Sequence, residues 1–137
     1  MMKPRELVAL AIQAREKSYC PYSCFAVGAA LECADGTVYT GCNIENAAFG
    51  PSVCAERTAI FKAVSEGRRE FRALAVVGGK AGAPVTKECP PCGVCRQVLR
   101  EFCDDDFPVH LSDGETIRTL RLRELLPESF RAEGQLL

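Results

Sequence analysis

The sequence has no long hydrophobic run and no excess of charge of either sign. None of its stretches approaches the roughly 20 uninterrupted apolar residues of a membrane-spanning helix. The first six residues also lack the apolar run of a secretion signal. The formal net charge is -1, and such a chain lacks the excess of positive charge that binding to a nucleic acid backbone usually requires. We therefore expect a cytoplasmic protein that binds small molecules rather than nucleic acid or membrane.

The chain is short, with 137 residues of which 47% are hydrophobic, and this is enough for one domain with a proper core over 1–137. It contains nine cysteines. The odd number, the missing secretion signal and the apolar content all argue against a disulfide scaffold. We expect reduced thiols, most of them small buried hydrophobic residues.

Hydrophobic periodicity and turn residues predict an α/β protein in which helices cover the faces of a mixed sheet. Asp35-Gly36 is a strong signal for a hairpin turn between the first two strands. The predicted order is a helix from 4 to about 17, strands over 25–33 and 37–44, a helix over 54–66, a strand over 71–77, a helix over 92–102, strands over 107–111 and 116–120, and a short helix over 122–126.

Two cysteine motifs carry the strongest chemical signal. Cys54 precedes one predicted helix, and Cys92 and Cys95 form a C-x-x-C at the start of another. Helix starts favour thiolates, and three thiolates leave one position of a tetrahedral zinc ion open for water. We therefore predict one catalytic Zn²⁺ per chain. The C-x-x-C alone would also suit a thiol-disulfide redox centre, but Cys54 and Glu56 at the start of a second helix make this less favourable.

Three charged residues lie next to the predicted ligands. Glu56 is placed to take a proton from the water and return it to a leaving group, although a glutamate that complements the helix dipole is a simpler alternative. Arg57 and Arg96 each follow a ligand directly. They would offset the negative charge of three thiolates by donating to the sulfurs, unless they are only exposed helix-start arginines.

Four blocks of sequence then match a known family in order. They are Tyr22-Ser23-Cys24-Phe25-Ala26-Val27-Gly28-Ala29-Ala30, Gly41-Cys42-Asn43-Ile44-Glu45-Asn46-Ala47, Cys54-Ala55-Glu56-Arg57-Thr58-Ala59 and Pro91-Cys92-Gly93-Val94-Cys95-Arg96-Gln97. On these blocks the chain resembles the small homotetrameric cytidine deaminases over nearly its whole length. The resemblance implies a three-layer α/β/α fold with a mixed five-stranded sheet.

The resemblance also implies the reaction. Cytidine and deoxycytidine would be converted to uridine and deoxyuridine with loss of ammonia, a step of pyrimidine salvage. Water activated by zinc on Cys54, Cys92 and Cys95 would attack C4 of the base. Glu56 would protonate N3 and then the departing ammonia.

The substrate contacts follow from the resemblance as well. Asn43 and Glu45 would bind the ribose hydroxyls, Phe25 would pack against the base, and the Ala55 amide would meet the pyrimidine carbonyl. Phe130 would reach into the site of a neighbouring subunit. Without the resemblance, Asn43 and Glu45 could simply be polar residues at a strand end, and Phe25 could be a core residue.

The chain departs from the family pattern at three places. Phe49 stands where tyrosine is frequent, Pro90 where serine is frequent, and Arg131-Ala132 where Gly-Pro is frequent. None of these changes affects a predicted ligand or Glu56. Two other functions remain open from the sequence: a related aminopyrimidine-nucleoside deaminase, such as one that acts on blasticidin S, and a non-catalytic zinc or redox module.

Overall fold

The computed structural model describes residues 1–132, which form one mixed sheet with helices on both faces. The elements, in chain order, are α1 (Pro4–Ala14), a 3₁₀ turn (Arg15–Lys17), β1 (Phe25–Cys33), β2 (Val38–Cys42), α2 (Ala55–Ser65), β3 (Phe71–Lys80), α3 (Gly93–Phe102), β4 (Pro108–Ser112), β5 (Ile117–Arg121) and α4 (Leu122–Leu125).

The strands lie in the order β2-β1-β3-β4-β5. β3 and β4 are parallel, and their connection contains α3, as a crossover between parallel strands requires. The other neighbouring strands pair antiparallel. The predicted α/β class and the mixed five-stranded sheet are thus confirmed.

Each face of the sheet buries its own core, which gives the three layers that the sequence predicted. Leu31 and Leu74 belong to the core on the side of α2 and α3, whereas the neighbouring Ala30 and Ala73 belong to the core under α1. Strands buried on both faces have nearly continuous hydrophobic sequences, as β1 and β3 do. Within residues 1–132 no helix has the length and apolarity to cross a lipid bilayer.

Gly28 lets α1 lie directly on the sheet. A Cβ atom at this position would come within 1.9 Å of the Ala11 carbonyl oxygen. Such a distance is far inside van der Waals contact, so any side chain here would push α1 outward. Because α1 ends beside the loop that precedes β1, this contact also helps to position that loop.

Two boundaries differ from the prediction in ways that matter for the site. β3 continues through Gly78 and Gly79 to Lys80, because these residues pair with Val27, Ala26 and Phe25 of β1. Glycine is disfavoured in strands, and the prediction therefore ended too early. The helices α2 and α3 begin one residue later than predicted, which makes Cys54 and Cys92 their N-cap residues.

Candidate metal centre

Two helix starts on one face of the sheet bring three cysteines together. Cys54 caps α2, Cys92 caps α3, and Cys95 lies in the first turn of α3. Their sulfur atoms all lie within 4.8 Å of one another, and the Cys54 and Cys92 sulfurs are 3.7 Å apart. Within residues 1–132 this is the one group of three or more ligand-type side chains with such spacing.

The donor set suits a soft divalent cation such as Zn²⁺. Hydrogen bonding from the Cys95 thiol, together with donation from Arg57, lowers the pKa of Cys54 to about 5. The Arg57 Nη2 atom lies 3.3 Å from the Cys54 sulfur. The same thiol-to-thiolate bond raises the pKa of the buried Cys95. The cluster therefore already holds a thiolate, which is the form of cysteine that ligates zinc.

Glu56 lies beside these sulfurs and is only 3% exposed. Burial raises the pKa of its carboxyl to about 7. A carboxyl with a pKa near neutrality can both accept and donate a proton during a reaction. The sequence prediction that Glu56 serves as a proton carrier thus has a suitable environment.

Glu56 and two of the cysteines open onto a cleft of about 340 Å³, a size that suits a small molecule. Its polar and apolar walls come from four separate segments of the chain. The lining residues are Val27, Asn43, Glu45, Ser52, Val53, Cys54, Ala55, Glu56, Arg57, Cys89, Pro90 and Cys92.

Arg57 and Arg96 differ in position, although both follow a ligand. Arg57 contacts a sulfur as predicted. The prediction for Arg96 is wrong, because its side chain donates to the Pro91 and Leu125 carbonyl oxygens, each at 2.7 Å. The Arg96 side chain thus joins the segment before α3 to the end of α4. It holds the backbone next to the metal centre rather than a thiolate.

Asn43 and Glu45 lie where β2 ends, on the rim of the cleft. Asn43 accepts a hydrogen bond from the Val27 amide at 2.9 Å and donates one to the Phe25 carbonyl oxygen at 2.8 Å. It therefore fixes the start of β1 against the end of β2. Both polar atoms of its amide group are used in this way, and they lie directly beside the cleft.

Glu45 holds the turn that precedes β1. Its carboxylate accepts hydrogen bonds from the Tyr22 and Ser23 amides and from the Ser23 hydroxyl. These bonds, with that of the Ser23 hydroxyl first, lower the pKa of Glu45. The residue thus keeps a negative charge at neutral pH. The sequence prediction did not include Ser23, whose only signal was its place in the matching block around Phe25.

The other predicted contacts are divided between the cleft and the surface. Ala55 lines the cleft as the first residue of α2, where backbone amides have no acceptor within the helix. The Phe25 side chain is 42% exposed at the start of β1. Phe130 lies outside the cleft of its own chain and is 56% exposed, with its carbonyl oxygen bound by Gln97.

Cys89 lines the cleft, although no role was predicted for it from the sequence. Burial raises its pKa to about 11, so it remains a neutral thiol, unlike Cys54. Its spacing of three residues before Cys92 gave no indication of this position, because the loop between β3 and α3 has no periodic pattern. The three departures can also be placed: Phe49 is 81% exposed, Pro90 lines the cleft, and at Arg131-Ala132 the Arg131 Nη2 atom lies 3.8 Å from Asp105 Oδ1.

Taken together, a metal held by three thiolates next to a buried carboxyl is the arrangement of a hydrolytic zinc enzyme. A redox centre would need only Cys92 and Cys95. The structure instead places the Cys54 sulfur 3.7 Å from the Cys92 sulfur and the buried Glu56 in the lining of the same cleft.

Comparison with known proteins agrees with this class. The model of the family described as the cytidine and deoxycytidylate deaminase zinc-binding region matches residues 1–111. The cytidine deaminase of Sporosarcina psychrophila is 51% identical over 133 residues, covering 96% of this chain and 94% of its own. That of Halalkalibacterium halodurans is also 51% identical, covering 96% and 97%. The crystal structure of cytidine deaminase from Burkholderia pseudomallei superposes with a TM-score of 0.86 at 45% identity, covering 94% of this chain and 100% of that one.

The chain therefore belongs to the cytidine and deoxycytidylate deaminase family. Its fold is that of the family's crystal structures, and the matched zinc-binding region contains Cys54, Cys92 and Cys95. Zinc is the cofactor that these cysteines fit.

Proposed function

We propose that this chain catalyses the hydrolytic deamination of cytidine and deoxycytidine to uridine and deoxyuridine, with release of ammonia. One observation carries the proposal: the buried Glu56 carboxyl lines, beside the cysteine cluster, a cleft that Asn43 and Glu45 also line. A carboxyl suited to proton transfer and polar groups suited to a sugar lining the same cleft support the proposal.

Residues of the chain supply the proton transfers. When bound to Cys54, Cys92 and Cys95, Zn²⁺ supplies a Lewis acid that lowers the pKa of water. Glu56 takes a proton from the attacking water and passes it to N3 of the cytosine ring. It then takes the second proton from the hydroxyl added at C4 and gives it to the amino group, which leaves as ammonia when the C4–N bond breaks. A pKa of about 7 allows the carboxyl to act in both directions at neutral pH. The buried position of Glu56 also keeps bulk water away from this exchange.

Recognition of the nucleoside depends on residues of the cleft other than the metal ligands and Glu56. Asn43 and Glu45 can share hydrogen bonds with the ribose hydroxyls, Phe25 packs against the base, and the Ala55 amide donates to the pyrimidine carbonyl. The carboxylate of Glu45 would repel a 5′-phosphate. We therefore assign free nucleosides as substrates, rather than nucleotides or polynucleotides.

We also propose that residues 1–137 are a single catalytic domain that assembles into a cytoplasmic homotetramer for pyrimidine salvage. Exposed aromatic side chains support the assembly, since Phe49 and Phe130 are 81% and 56% exposed. Phe130 would complete a neighbour's site. The nine cysteines all remain free thiols in the structure, as a reducing compartment would maintain them.

The test is a deaminase assay on purified protein of measured zinc content. Loss of cytidine absorbance with stoichiometric ammonia release is expected, together with much slower turnover of cytidine 5′-monophosphate. Blasticidin S serves as the competing substrate. If its kcat/KM is higher than that of cytidine, blasticidin S becomes the assigned substrate. Zinc-loaded protein that releases no ammonia from either compound would refute the proposal.

A further inference from the structure

Gly78 of β3 lies under the side chains of Phe25 and Cys89, of which Cys89 lines the cleft. A Cβ atom at Gly78 would lie 2.9 Å from Cε2 of the Phe25 ring and 2.8 Å from the Cys89 sulfur. Both side chains therefore pack against Gly78 on the side where a Cβ would lie. No larger residue fits at Gly78 unless one of the two moves.

The register of the sheet explains why these groups meet at the cleft. Gly78 pairs with Val27 of β1, and Val27 lines the cleft. Residues two apart on a strand point to the same face, so the Phe25 side chain follows Val27 on that face. Phe25 thus lies diagonally across from Gly78, within reach for an aromatic side chain.

Cys89 reaches Gly78 from a loop that is held at its start and again at the residue directly before Cys89. Arg118 of β5 binds the carboxylate of the preceding residue, Glu88, with Nη2 at 2.8 Å and Nε at 3.1 Å. At the start of the loop, Arg15 donates to the Lys80 and Ala83 carbonyl oxygens at 3.0 and 2.9 Å. The cysteine is therefore held in place by its neighbours and can act as a wall for the ring.

We propose that Cys89 and Gly78 are positioning residues that set the location of the Phe25 ring in the nucleoside cleft. The inference rests on the proposed function, in which Phe25 packs against the base. Cys89 bounds the ring from the side of the metal centre, and Gly78 supplies the space beneath both. The pair therefore determines how closely a pyrimidine ring can lie between Phe25 and the cysteine cluster.

Adjacent glycines provide a matched test. Gly78→Ala adds a methyl group that must displace the Phe25 ring or the Cys89 side chain that bounds it, whereas at Gly79 the added Cβ would meet its nearest neighbour, the Arg15 Nη2 atom, at 3.4 Å. We expect Gly78→Ala to raise KM for cytidine about 10-fold with kcat within about 2-fold, because packing against the base acts on ground state and transition state alike. Gly79→Ala should leave both constants near the wild-type values.

A second pair of variants tests the cysteine without adding volume. Cys89→Ala removes the side chain that bounds the Phe25 ring and should raise KM about 3-fold. Cys89→Ser keeps a substituent of similar shape and should have a KM near the wild-type value. In a Phe25→Ala background, Gly78→Ala and Cys89→Ala should have no further effect on KM, because both act through the ring. Zinc content and thermal midpoint are measured for every variant.

The outcomes separate this inference from the function on which it rests. Wild-type protein without deaminase activity overturns both. When the wild type is active, the inference alone is overturned by an unchanged KM in Gly78→Ala and Cys89→Ala. It is also overturned if the effects of these substitutions on KM persist in the Phe25→Ala background. If Gly78→Ala does not fold, the Cys89 variants decide by the same criteria.

Discussion

The guanidinium of Arg57 donates to the sulfur of Cys54 across 3.3 Å. The two residues are one helical turn apart at the start of α2, so local helix geometry alone brings the charge to the ligand. The bond helps to hold Cys54 as a thiolate, with a pKa of about 5. A cluster of three sulfurs thus receives part of its charge compensation from a residue beside its own ligand.

Arg57→Gln should weaken zinc binding. Loss of the bond raises the pKa of Cys54, and protons then compete with the metal at higher pH. We expect a fall in zinc affinity of about 10- to 100-fold, which is typical when a group that supports a ligand is removed. Competition with a chelator measures the affinity, and zinc release during acid titration should shift to higher pH.

The matched control for this variant is Arg69→Gln. Arg69 donates to the Val64 carbonyl oxygen, near the opposite end of α2, and contacts no sulfur in the part of the chain that the structure describes. Its removal should leave zinc affinity unchanged. Equal losses in the two variants would mean that the effect comes from general destabilisation of α2 and not from the bond to Cys54.

Glu56→Gln should retain zinc and lose most of the activity. The amide keeps the size of the side chain but cannot carry a proton, and loss of general acid–base catalysis typically costs about 10²- to 10⁴-fold in rate. Cytidine turnover and metal content are measured on the same sample. A variant with full zinc and activity within 10-fold of the wild type would mean that another group moves the proton.

The sequence was sufficient to predict the order of helices and strands along the chain and the three sulfur ligands, because turn residues and helix starts mark these features locally. It was wrong about Arg96, since the direction of that side chain depends on where α4 packs. The closeness of Cys89 to Phe25 was also not predictable. Both side chains pack against Gly78, and the register of β3 with β1 thus brings together residues 64 positions apart.

Gly28→Ala should strongly destabilise the fold. The added Cβ would lie 1.9 Å from the Ala11 carbonyl oxygen, so α1 would have to leave its place on the sheet. We expect a loss of about 3 kcal/mol in the free energy of unfolding, measured by denaturant titration. Gly50→Ala is the control, because its Cβ would meet no atom within 4 Å. Similar unfolding midpoints for the two variants would contradict the close approach of α1.

His110 should make stability depend on pH. Burial lowers its pKa below the usual value of 6.5, and its Nδ1 atom lies 2.8 Å from the Thr119 hydroxyl. Glu32 acts in the opposite direction, and Arg121 adds to the lowering. Between this lowered pKa and about 6.5, the histidine of the unfolded chain binds more protons than that of the folded chain. The free energy of unfolding therefore falls as pH drops below about 6.5.

The variant His110→Asn isolates this contribution, because asparagine can keep a hydrogen bond near Thr119 but does not titrate. Between pH 7.5 and 5.5 the unfolding midpoint of the wild type should decrease more than that of the variant. Parallel decreases would assign the pH dependence to other groups.

Mixing two inactive variants should test whether Phe130 completes a neighbour's site. Phe130→Ala lacks the aromatic contact, and Glu56→Gln lacks the proton carrier, so neither homo-oligomer should turn over cytidine efficiently. After co-refolding with zinc, about a quarter of the sites should combine an intact Glu56 with an intact Phe130 from the adjacent chain, if the chains mix at random in a symmetric assembly. Activity in the mixture well above the mean of the separate samples is therefore expected. A mixture that stays at this mean, with exchange verified by mass, would place the Phe130 contact within its own chain or remove it from catalysis altogether.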